Sequence, residues 1–451
     1  MQTKVLKLVL GGAVVATTAL TGPAFAQDAA AAAPAGPTPE TAFILNTLLF
    51  LMGGFLVMFM AAGFCMLEAG LVRSKNVSMQ CLKNIGLYSI AGIMFWALGY
   101  NLMYDGVDGG YMGSFSPYGW DPVGGGDDTA GLLDTGYSTA SDWFFQMVFC
   151  AATASIVSGT VAERVKLWPF LIFVAVLTGV LYPISGAWQW GGGWLSEMGF
   201  SDFAGSTIVH SVGGWAALTG AILIGARTGK YAADGSVTPM PGSSMPLATL
   251  GTFILWLGWF GFNGGSQLAM GTLGDVADVS RIFANTNLAA AGGVVVAMIL
   301  TQVLYKKVDI TMALNGALAG LVSITAEPLA PSPIMAIIIG GVGGAIVVFT
   351  VPLLDKLKID DVVGAIPVHL FAGIWGTIAV PLTNSDASFV TQLIGIAAYG
   401  AFTVVASAVV WLILKAVFGI RVSDEEETLG LDKTEIGVEA YPEFGQGSQR
   451  V

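Results

Sequence analysis

The chain has 451 residues, of which 55% are hydrophobic and only 11% are charged. A soluble globular protein carries about 25% charged residues, so the composition excludes that class. The formal net charge is −12, and we expect no nucleic acid among the partners of the protein. Several separate runs of about 20 apolar residues are each long enough to cross a hydrocarbon core. The sequence therefore predicts an all-α polytopic membrane protein.

The amino-terminal segment has the pattern of an export signal. Lys4 and Lys7 precede a short apolar run that ends in 24-AFA-26, a small-x-small cleavage site. We predict a cleavable signal peptide over residues 1–26, with an uncleaved extra span as the alternative. The Ala/Pro-rich segment 27–41 is then an exported disordered linker. This places the mature amino terminus in the periplasm of a bacterium.

Hydrophobic windows predict eleven membrane spans. The spans lie near 43–67, 82–104, 143–163, 168–189, 204–226, 246–268, 282–305, 310–327, 333–354, 362–383 and 392–417. We group residues 42–226 as a first five-helix repeat, 227–245 as a cytoplasmic loop and 246–383 as a second, inverted five-helix repeat. The eleventh span, 392–417, precedes an acidic cytoplasmic tail, 418–451.

The basic residues predict the orientation of these spans. Most of them fall in alternate loops, which the positive-inside rule assigns to the cytoplasm; they are Arg73, Lys75, Arg164, Lys166, Arg227, Lys230, Lys306, Lys307, Lys356 and Lys358. Among the opposite loops only Arg281 stands out as basic. The outer loop 105–141 is rich in Asp and Gly; it is either a funnel for cations or a solvated loop. The tail is either a solvated end or a regulatory docking segment.

The chain contains two histidines, and both lie within predicted spans. The fifth span contains V-H-S-V-G-G-W from Val209, and the tenth contains V-H-L-F-A-G-I-W from Val368. An offset of five spans turns the second copy upside down, which is an inverted repeat. Residues at equivalent depths then approach each other near the midplane. We therefore predict that His210 and His369 face one another in the interior.

Three interpretations of this histidine pair stay open on the residues alone. The pair could be structural, it could ligate a haem, or it could relay hydrogen bonds in a transport path. Three aromatic runs favour the third interpretation: 143-WFFQMVF-149, 188-WQWGGGW-194 and 256-WLGWFGFNGGS-266. Aromatic faces attract a cation at the mouth of a path, and rings further in exclude water. Glycines near both histidines favour a narrow pore.

Several motifs resemble the ammonium transporter (Amt/Rh) family, from about residue 42 to the tail. They are 158-SGTVAERVK-166, 190-WGGGWL-195, 200-FSDFAGSTIVHSVGGWAALTGA-221, 256-WLGWFGFNGGS-266, 360-DDVVGAIPVH-369 and 420-IRVSDEEETLGLD-432. The resemblance implies the ammonium transporter fold: eleven transmembrane helices with a five-plus-five inverted repeat and a final helix. It also implies a homotrimer with one narrow pore in each subunit.

The resemblance assigns roles to individual residues. His210 and His369 match the pore histidines, and Phe149 and Phe262 match a stacked phenylalanine gate. The ammonium recruitment site matches Phe149, Trp190 and Ser266, and supporting positions match Phe145, Asp202 and Trp259. Asp202 is interpreted as a helix cap and electrostatic stabiliser more than as a ligand. One departure is Leu370, where many members have glycine after the second histidine.

The function implied is ammonium uptake across a bacterial inner membrane, with methylammonium as an analogue and with no enzyme activity, cofactor or metal. Ammonium would be recruited in an outer aromatic vestibule and deprotonated, and ammonia would cross the histidine-lined pore. The alternative is an ammonium sensor with little net transport. Expected partners are membrane lipids, two further copies of the chain, and a cytoplasmic signal-transduction protein of the PII class at the inner face and tail.

Overall fold

The computed structural model describes residues 36–120 and 133–443. The predicted signal peptide, most of the linker and the last residues of the tail lie outside this part. Eleven apolar helices follow one another along the described chain. They are α1 Pro39–Leu71, α2 Ser74–Tyr104, α3 Thr139–Thr160, α4 Leu167–Ala187, α5 Ser206–Ile224, α6 Met245–Gly265, α7 Leu273–Tyr305, α8 Ile310–Ile324, α9 Pro333–Lys356, α10 Ile366–Leu382 and α11 Phe389–Val417.

The predicted number and order of spans are confirmed. Within residues 36–120 and 133–443, nine of the helices are long and apolar enough to cross a membrane, and α8 and α10 are shorter apolar helices. One detail differs: Arg281 lies within α7 and not in a loop, because the capping box of Thr272 and Asp275 starts that helix earlier than the hydrophobic window does. Its side chain is exposed.

Close helix packing depends on glycine at crossing points. A Cβ atom added to Gly344 of α9 would lie 2.2 Å from the carbonyl oxygen of Gly293 in α7. A Cβ atom added to Gly214 of α5 would lie 2.7 Å from the backbone nitrogen of Leu370 in α10. Lipid supplies no hydrophobic drive between helices, so such close approach provides the packing contact. Leu370, the residue that departs from the family pattern, is itself buried against α5.

The two histidine-bearing helices begin in the same way but at opposite ends of the bundle. Asp202 precedes α5 and lines a vestibule, whereas Asp361 precedes α10 and lines a pocket on the side where the tail lies. In each case a glycine follows three residues later with positive φ, +107° at Gly205 and +79° at Gly364. The aspartate then accepts hydrogen bonds from backbone N–H groups of the first turn. The antiparallel pair has the geometry of an inverted repeat.

Residues 418–443 fold back onto the bundle, and we call that side of the molecule the tail side. The segment contains two short helices, α12 Asp424–Leu429 and α13 Leu431–Thr434. Lys75 Nζ donates to the carbonyl oxygens of Glu427 and Thr428, each at 2.7 Å. Asp432 accepts hydrogen bonds from the backbone N–H groups of Ser78 and Met79 at the start of α2. This part of the tail is therefore docked on the body of the protein.

A buried ionic cluster connects the loops on the tail side. Arg227 donates to Asp360 through Nε at 2.8 Å and through Nη2 at 2.9 Å, and it also contacts Glu163 at 3.2 Å. Glu163 in turn pairs with Arg73. Burial alone would raise the pKa of Asp360, but hydrogen bonds from Arg227 and the charges of Arg164 and Arg227 hold it well below its ordinary value. The carboxylate therefore stays charged wherever the protein is folded at ordinary pH.

Candidate functional site

The twin histidines, His210 and His369, meet in the interior of the bundle. Each lies in a single π-helical turn, Ser206–Ser211 in α5 and Ile366–Phe371 in α10. Such wide turns inside α-helices are frequent at functional sites. Both side chains are buried, at 0% and 3% exposure, and their Nδ1 atoms are 3.2 Å apart. The two rings are inclined by 24° with centroids 5.2 Å apart.

The Nδ1–Nδ1 hydrogen bond determines what the pair presents to its surroundings. One Nδ1 must carry the proton and the other must accept it, so a neutral pair consists of two different tautomers. The donor ring then has a lone pair on Nε2, and the acceptor ring has an Nε2–H group. Among the described residues, Nε2 of His210 is buried and has no hydrogen-bond partner. The pair therefore offers one acceptor and one donor to a small polar molecule.

Stacked aromatic rings continue from the histidines toward one side of the membrane. Phe262 lies over His210 with centroids 5.1 Å apart, and Phe149 lies against Phe262 at 4.0 Å. Trp259 flanks His210 at 4.9 Å, and Phe145 contacts Phe149 at 4.7 Å. All four aromatic side chains are at most 1% exposed. The path between vestibule and histidines is therefore closed by two phenylalanine rings.

Beyond the rings is a vestibule with a volume of about 540 Å³. It is lined by Tyr100, Tyr104, Tyr137, Asp142, Phe145, Gln146, Phe149, Gln189, Trp190, Ser201, Asp202, Phe203, Ser266 and Leu268. Trp190 lies 6.0 Å from Phe149, edge to face. The hydroxyl of Ser266 donates to the carbonyl of Phe262 at 2.8 Å, so its lone pairs are left to accept. Aromatic faces and a hydroxyl acceptor suit a small cation that carries protons.

Helical periodicity brings these groups together from two segments. On α3, Asp142, Phe145 and Phe149 stand at i, i+3 and i+7; on α6, Trp259, Phe262 and Ser266 have the same spacing. Positions at this spacing share one face of a helix. The two faces meet at the contact between Phe149 and Phe262. The sequence analysis had not singled out Asp142, although the spacing on α3 was available to find it.

Asp202 caps the start of α5 and also contacts Trp190. Its carboxylate accepts four backbone N–H hydrogen bonds, from Gly205, Ser206, Thr207 and Ile208, at 2.7–3.0 Å. Burial raises the pKa of this carboxyl, and the four donors oppose that shift. The carbonyl of Asp202 accepts from Trp190 Nε1 at 3.0 Å. The residue thus orients both the start of α5 and the indole of the vestibule.

Comparison with known proteins decides the family. The sequence profile of the Ammonium Transporter Family matches residues 48–441. The chain belongs to the ammonium transporter family. It is 44% identical over 425 residues to the ammonium transporter Amt2 of Archaeoglobus fulgidus, covering 87% of each chain. It is 34% identical to the ammonium transporter of Bacillus subtilis, covering 88% of this chain and 98% of that one.

Solved ammonium transporter family structures share the fold. A structure of a sensor Amt protein matches with a TM-score of 0.82 at 34% identity, covering 88% of this chain and all of that chain (100%). The structure of Candida albicans Mep2 matches with a TM-score of 0.77 at 26% identity, covering 91% and 94% of the two chains. Members of this family are transporters and not enzymes.

The twin histidines of this ammonium transporter do not have the geometry of a haem site. Iron held between two imidazoles needs both rings to point a nitrogen at one metal from opposite sides of a porphyrin. Here two nitrogens lie at hydrogen-bonding distance, 3.2 Å, which leaves no space for the macrocycle between them. Among the described residues there is also no group of three or more His, Cys, Asp or Glu side chains arranged to hold a metal ion.

Proposed function

We propose that this ammonium transporter family member recruits ammonium in the vestibule, removes its proton, and conducts ammonia past the twin histidines. The buried Nδ1–Nδ1 pair, placed in line behind the stacked rings of Phe149 and Phe262, is the observation that carries this proposal. It combines an apolar closure with a polar relay in one path.

Recruitment is assigned to Phe149, Trp190 and Ser266. The rings attract the cation through their π faces, and Ser266 accepts one of its N–H groups. Phe145 supports the ring of Phe149, and Asp202 fixes Trp190 through its carbonyl. Asp142, which accepts a hydrogen bond from the Tyr100 hydroxyl at 2.6 Å, adds a carboxyl group to the vestibule wall. These groups concentrate ammonium ahead of the gate.

Selectivity then follows from the cost of desolvation. Transfer of a bare ion into a medium of low dielectric costs tens of kcal/mol by Born estimates, of which real sites recover a large part. Ammonium can avoid this cost by leaving a proton in the vestibule, because ammonia is neutral. Potassium has no proton to lose. Beyond the gate, ammonia can accept from one Nε2–H group and donate to the other Nε2 atom, with Trp259 forming the wall of the pore.

Flux measurements on purified protein in proteoliposomes that hold a pH-sensitive dye test this function. Ammonia that crosses takes up a proton in the lumen, so an inward ammonium gradient should make the lumen alkaline faster than in protein-free vesicles; methylammonium should do so more slowly, and potassium should have no such effect. Uptake of labelled methylammonium provides a second measurement. Correctly inserted protein that moves neither ammonium nor methylammonium would contradict the transporter proposal.

A second candidate function is ammonium sensing, favoured by the similarity to the sensor Amt protein. Binding of ammonium without flux would support it. The setting we propose is a bacterial inner membrane, with the vestibule facing the periplasm and the tail side facing the cytoplasm. There we propose a homotrimer whose docked tail responds to a PII-class protein. Sizing of the purified complex and pull-down with a PII protein test these two assignments.

A further inference from the structure

A small chamber lies on the tail side of His369. Its walls include Phe64 and Glu68 of α1, Ser155 of α3 and His369 itself. The space open to the centre of a water-sized molecule is about 10 Å³, which is about what one such molecule requires. We call this space the inner chamber. Because His369 is part of its wall, a molecule that leaves the twin histidines on this side would enter it.

The inner chamber leads toward the tail side. Asn315 and Val363 line the chamber and also line a larger pocket of about 210 Å³. That pocket is bordered by the charged side chains of Lys230 and Asp355, which belong to the tail-side loops. Asn315 and Val363 therefore lie between the inner chamber and the larger pocket on the tail side.

Glu68 presents one free carboxyl oxygen in this wall. The side chain is 1% exposed. Its Oε2 atom accepts three hydrogen bonds, from Gln80 Nε2 at 2.7 Å, Asn84 Nδ2 at 3.1 Å and Ser158 Oγ at 2.8 Å. Its Oε1 atom is buried and has no hydrogen-bond partner among the described residues. The bonds to Oε2 fix the carboxyl group and leave Oε1 for a molecule in the chamber.

A buried lysine lies one side chain away from Glu68. Lys83 is fully buried, and its Nζ atom donates to Gln80 Oε1 at 3.0 Å and to the carbonyl of Ser158 at 2.8 Å. It also lies 4.8 Å from the centre of the Phe170 ring. Gln80 thus bridges the ammonium group and the carboxyl group. The positive charge of Lys83 stabilises the carboxylate form of Glu68. Because Lys83 contacts Gln80 and not Glu68 itself, the protonated form of Glu68 remains accessible as well.

We propose that Glu68 is the inner proton-exchange residue, at which ammonia that has passed His369 becomes ammonium again. The lone pair of ammonia takes the proton from Oε1, so an N–H bond forms as the O–H bond breaks, and the electron pair stays on the carboxylate. Ammonium is held briefly as an ion pair with Glu68 and leaves past Asn315. Hydronium from the water on the tail side then restores the acid. This inference rests on the proposed function.

A purely structural role of Glu68 would not explain why its Oε1 atom is buried without a hydrogen-bond partner among the described residues. Buried polar atoms in folded proteins almost always have hydrogen-bond partners, and an unpaired buried oxygen costs free energy. In Glu68, a residue that lines the inner chamber, the cost falls on Oε1. A ligand with N–H groups would satisfy it.

The titratable groups around Glu68 belong to three helices. Lys83 reaches it through Gln80 from α2, and His369 of α10 faces it across the chamber. The thiols of Cys65 on α1 and Cys81 on α2 are near enough to interact with its charge. Neither thiol lines the chamber.

Glu68→Gln is the sharpest test. The glutamine carbonyl can keep the three hydrogen bonds made by Oε2, and its amide nitrogen takes the place of Oε1, so the change removes the exchangeable proton and little else. In proteoliposomes with the tail side facing the lumen, the protein-dependent rate at which ammonium makes the lumen alkaline should fall about 100-fold, the lower end of what positioned acids and bases contribute. The dependence of this rate on lumenal pH should disappear. The melting temperature and the ammonium concentration for half-maximal rate should stay near those of the unmodified protein.

Glu327→Gln is the matched control. Glu327 is also a buried acid, but it binds the backbone of Ala330 and the amide of Asn384 and does not border the inner chamber. Its substitution should leave the rate of lumenal alkalinisation and its pH profile unchanged. If Glu68→Gln fails to fold because Lys83 loses its counter-charge, the double variant Glu68→Gln, Lys83→Met removes both charges and should show the same loss.

The outcomes separate the two proposals. A transporting unmodified protein, together with a Glu68→Gln variant of equal rate and equal lumenal pH dependence, overturns the role of Glu68 alone. An unmodified protein that gives no ammonium-driven alkalinisation beyond that of protein-free vesicles and takes up no methylammonium overturns the proposed function and this inference with it. A loss of rate accompanied by a large fall in melting temperature in both the single and the double variant assigns Glu68 to structure and overturns the inference.

Discussion

Asp202 and Asp361 occupy equivalent positions before the two pore histidines. Both belong to the pattern D-x-x-G-x-x-x-V-H, which ends at His210 in one helix and at His369 in the other. One aspartate caps its helix from the vestibule and the other from the tail side. The aspartates and the positive-φ glycines set where each helix starts, and so they set the depth at which each histidine lies.

The first prediction concerns the twin histidines. Replacing both His210 and His369 with alanine removes the polar relay behind the phenylalanine gate, so selective ammonium flux should be abolished. The oligomer should stay intact, because glycine contacts hold the helices together without the two rings. Alkalinisation of the vesicle lumen and size-exclusion chromatography measure the two effects. Unchanged selectivity for ammonium over potassium in the double variant would contradict the relay.

The second prediction concerns the gate. Phe149→Ala removes the ring that lies 4.0 Å from Phe262, so water should reach the histidines from the vestibule and selectivity over potassium should fall. Truncation of a buried phenylalanine costs about 3–5 kcal/mol of stability, so the melting temperature should fall as well. Phe173→Ala is the control, since Phe173 stacks on Trp411 at 4.2 Å away from the pore. A similar loss of selectivity in both variants would argue against the gate.

The third prediction concerns the crossing of α5 and α10. Gly214→Ala places a methyl group where the nearest atoms of Leu370 are 2.7 Å away, so the helices must separate and the Nδ1–Nδ1 contact must lengthen. Flux should fall strongly. Gly220→Ala on the same helix meets its nearest atoms at 3.2 Å, mostly the edge of the Trp411 ring, and should be tolerated. Equal ammonium fluxes in the two variants would show that this crossing does not control the pore.

The fourth prediction concerns pH and the ionic cluster. The pKa of Asp360 is lower in the folded protein than its unfolded value of about 3.9. Its pairing therefore contributes stability that is fully present above about pH 4 and is lost as the pH falls through the folded pKa. Asp360→Asn should destabilise the protein by about 3–5 kcal/mol near pH 7. Thermal melts should show this difference shrinking below about pH 4; a constant difference would contradict the pairing.

The fifth prediction concerns the docked tail. Lys75→Met removes two hydrogen bonds to the carbonyls of Glu427 and Thr428, so residues 424–434 should exchange amide hydrogens faster. The response of activity to a PII-class protein should change in the same variant. Lys356→Met, at the end of α9, is a control on the same side of the bundle. Equal exchange in the unmodified protein and in Lys75→Met would show that this lysine does not hold the tail.

Hydrophobic periodicity was sufficient to predict the number and order of the helices, and family motifs directed attention to the residues around the histidines. Glu68 could not be predicted from hydropathy, because its charge lowers the local hydropathy and the first predicted span ends at residue 67. Lys83 was hidden at the edge of the second window for the same reason. Each charge is stabilised in the interior by partners from another helix, which no window along one segment can detect. The capping role of Asp361 was missed because the repeat was compared only from the histidines onward.

The single proton between His210 and His369 has a consequence for the cycle of the pore. The inverted repeat makes the two halves nearly interchangeable, yet the proton resides on one ring at a time, so the pair always points one way. When the bare Nε2 atom takes up a proton, the Nδ1 proton passes to the other ring and that ring releases the proton of its own Nε2–H group, the direction of the pair is reversed. The tautomeric state of the pair then stays reversed until a second exchange restores it. Two facing histidines thus have two tautomeric arrangements, and the starting arrangement must be restored between turnovers.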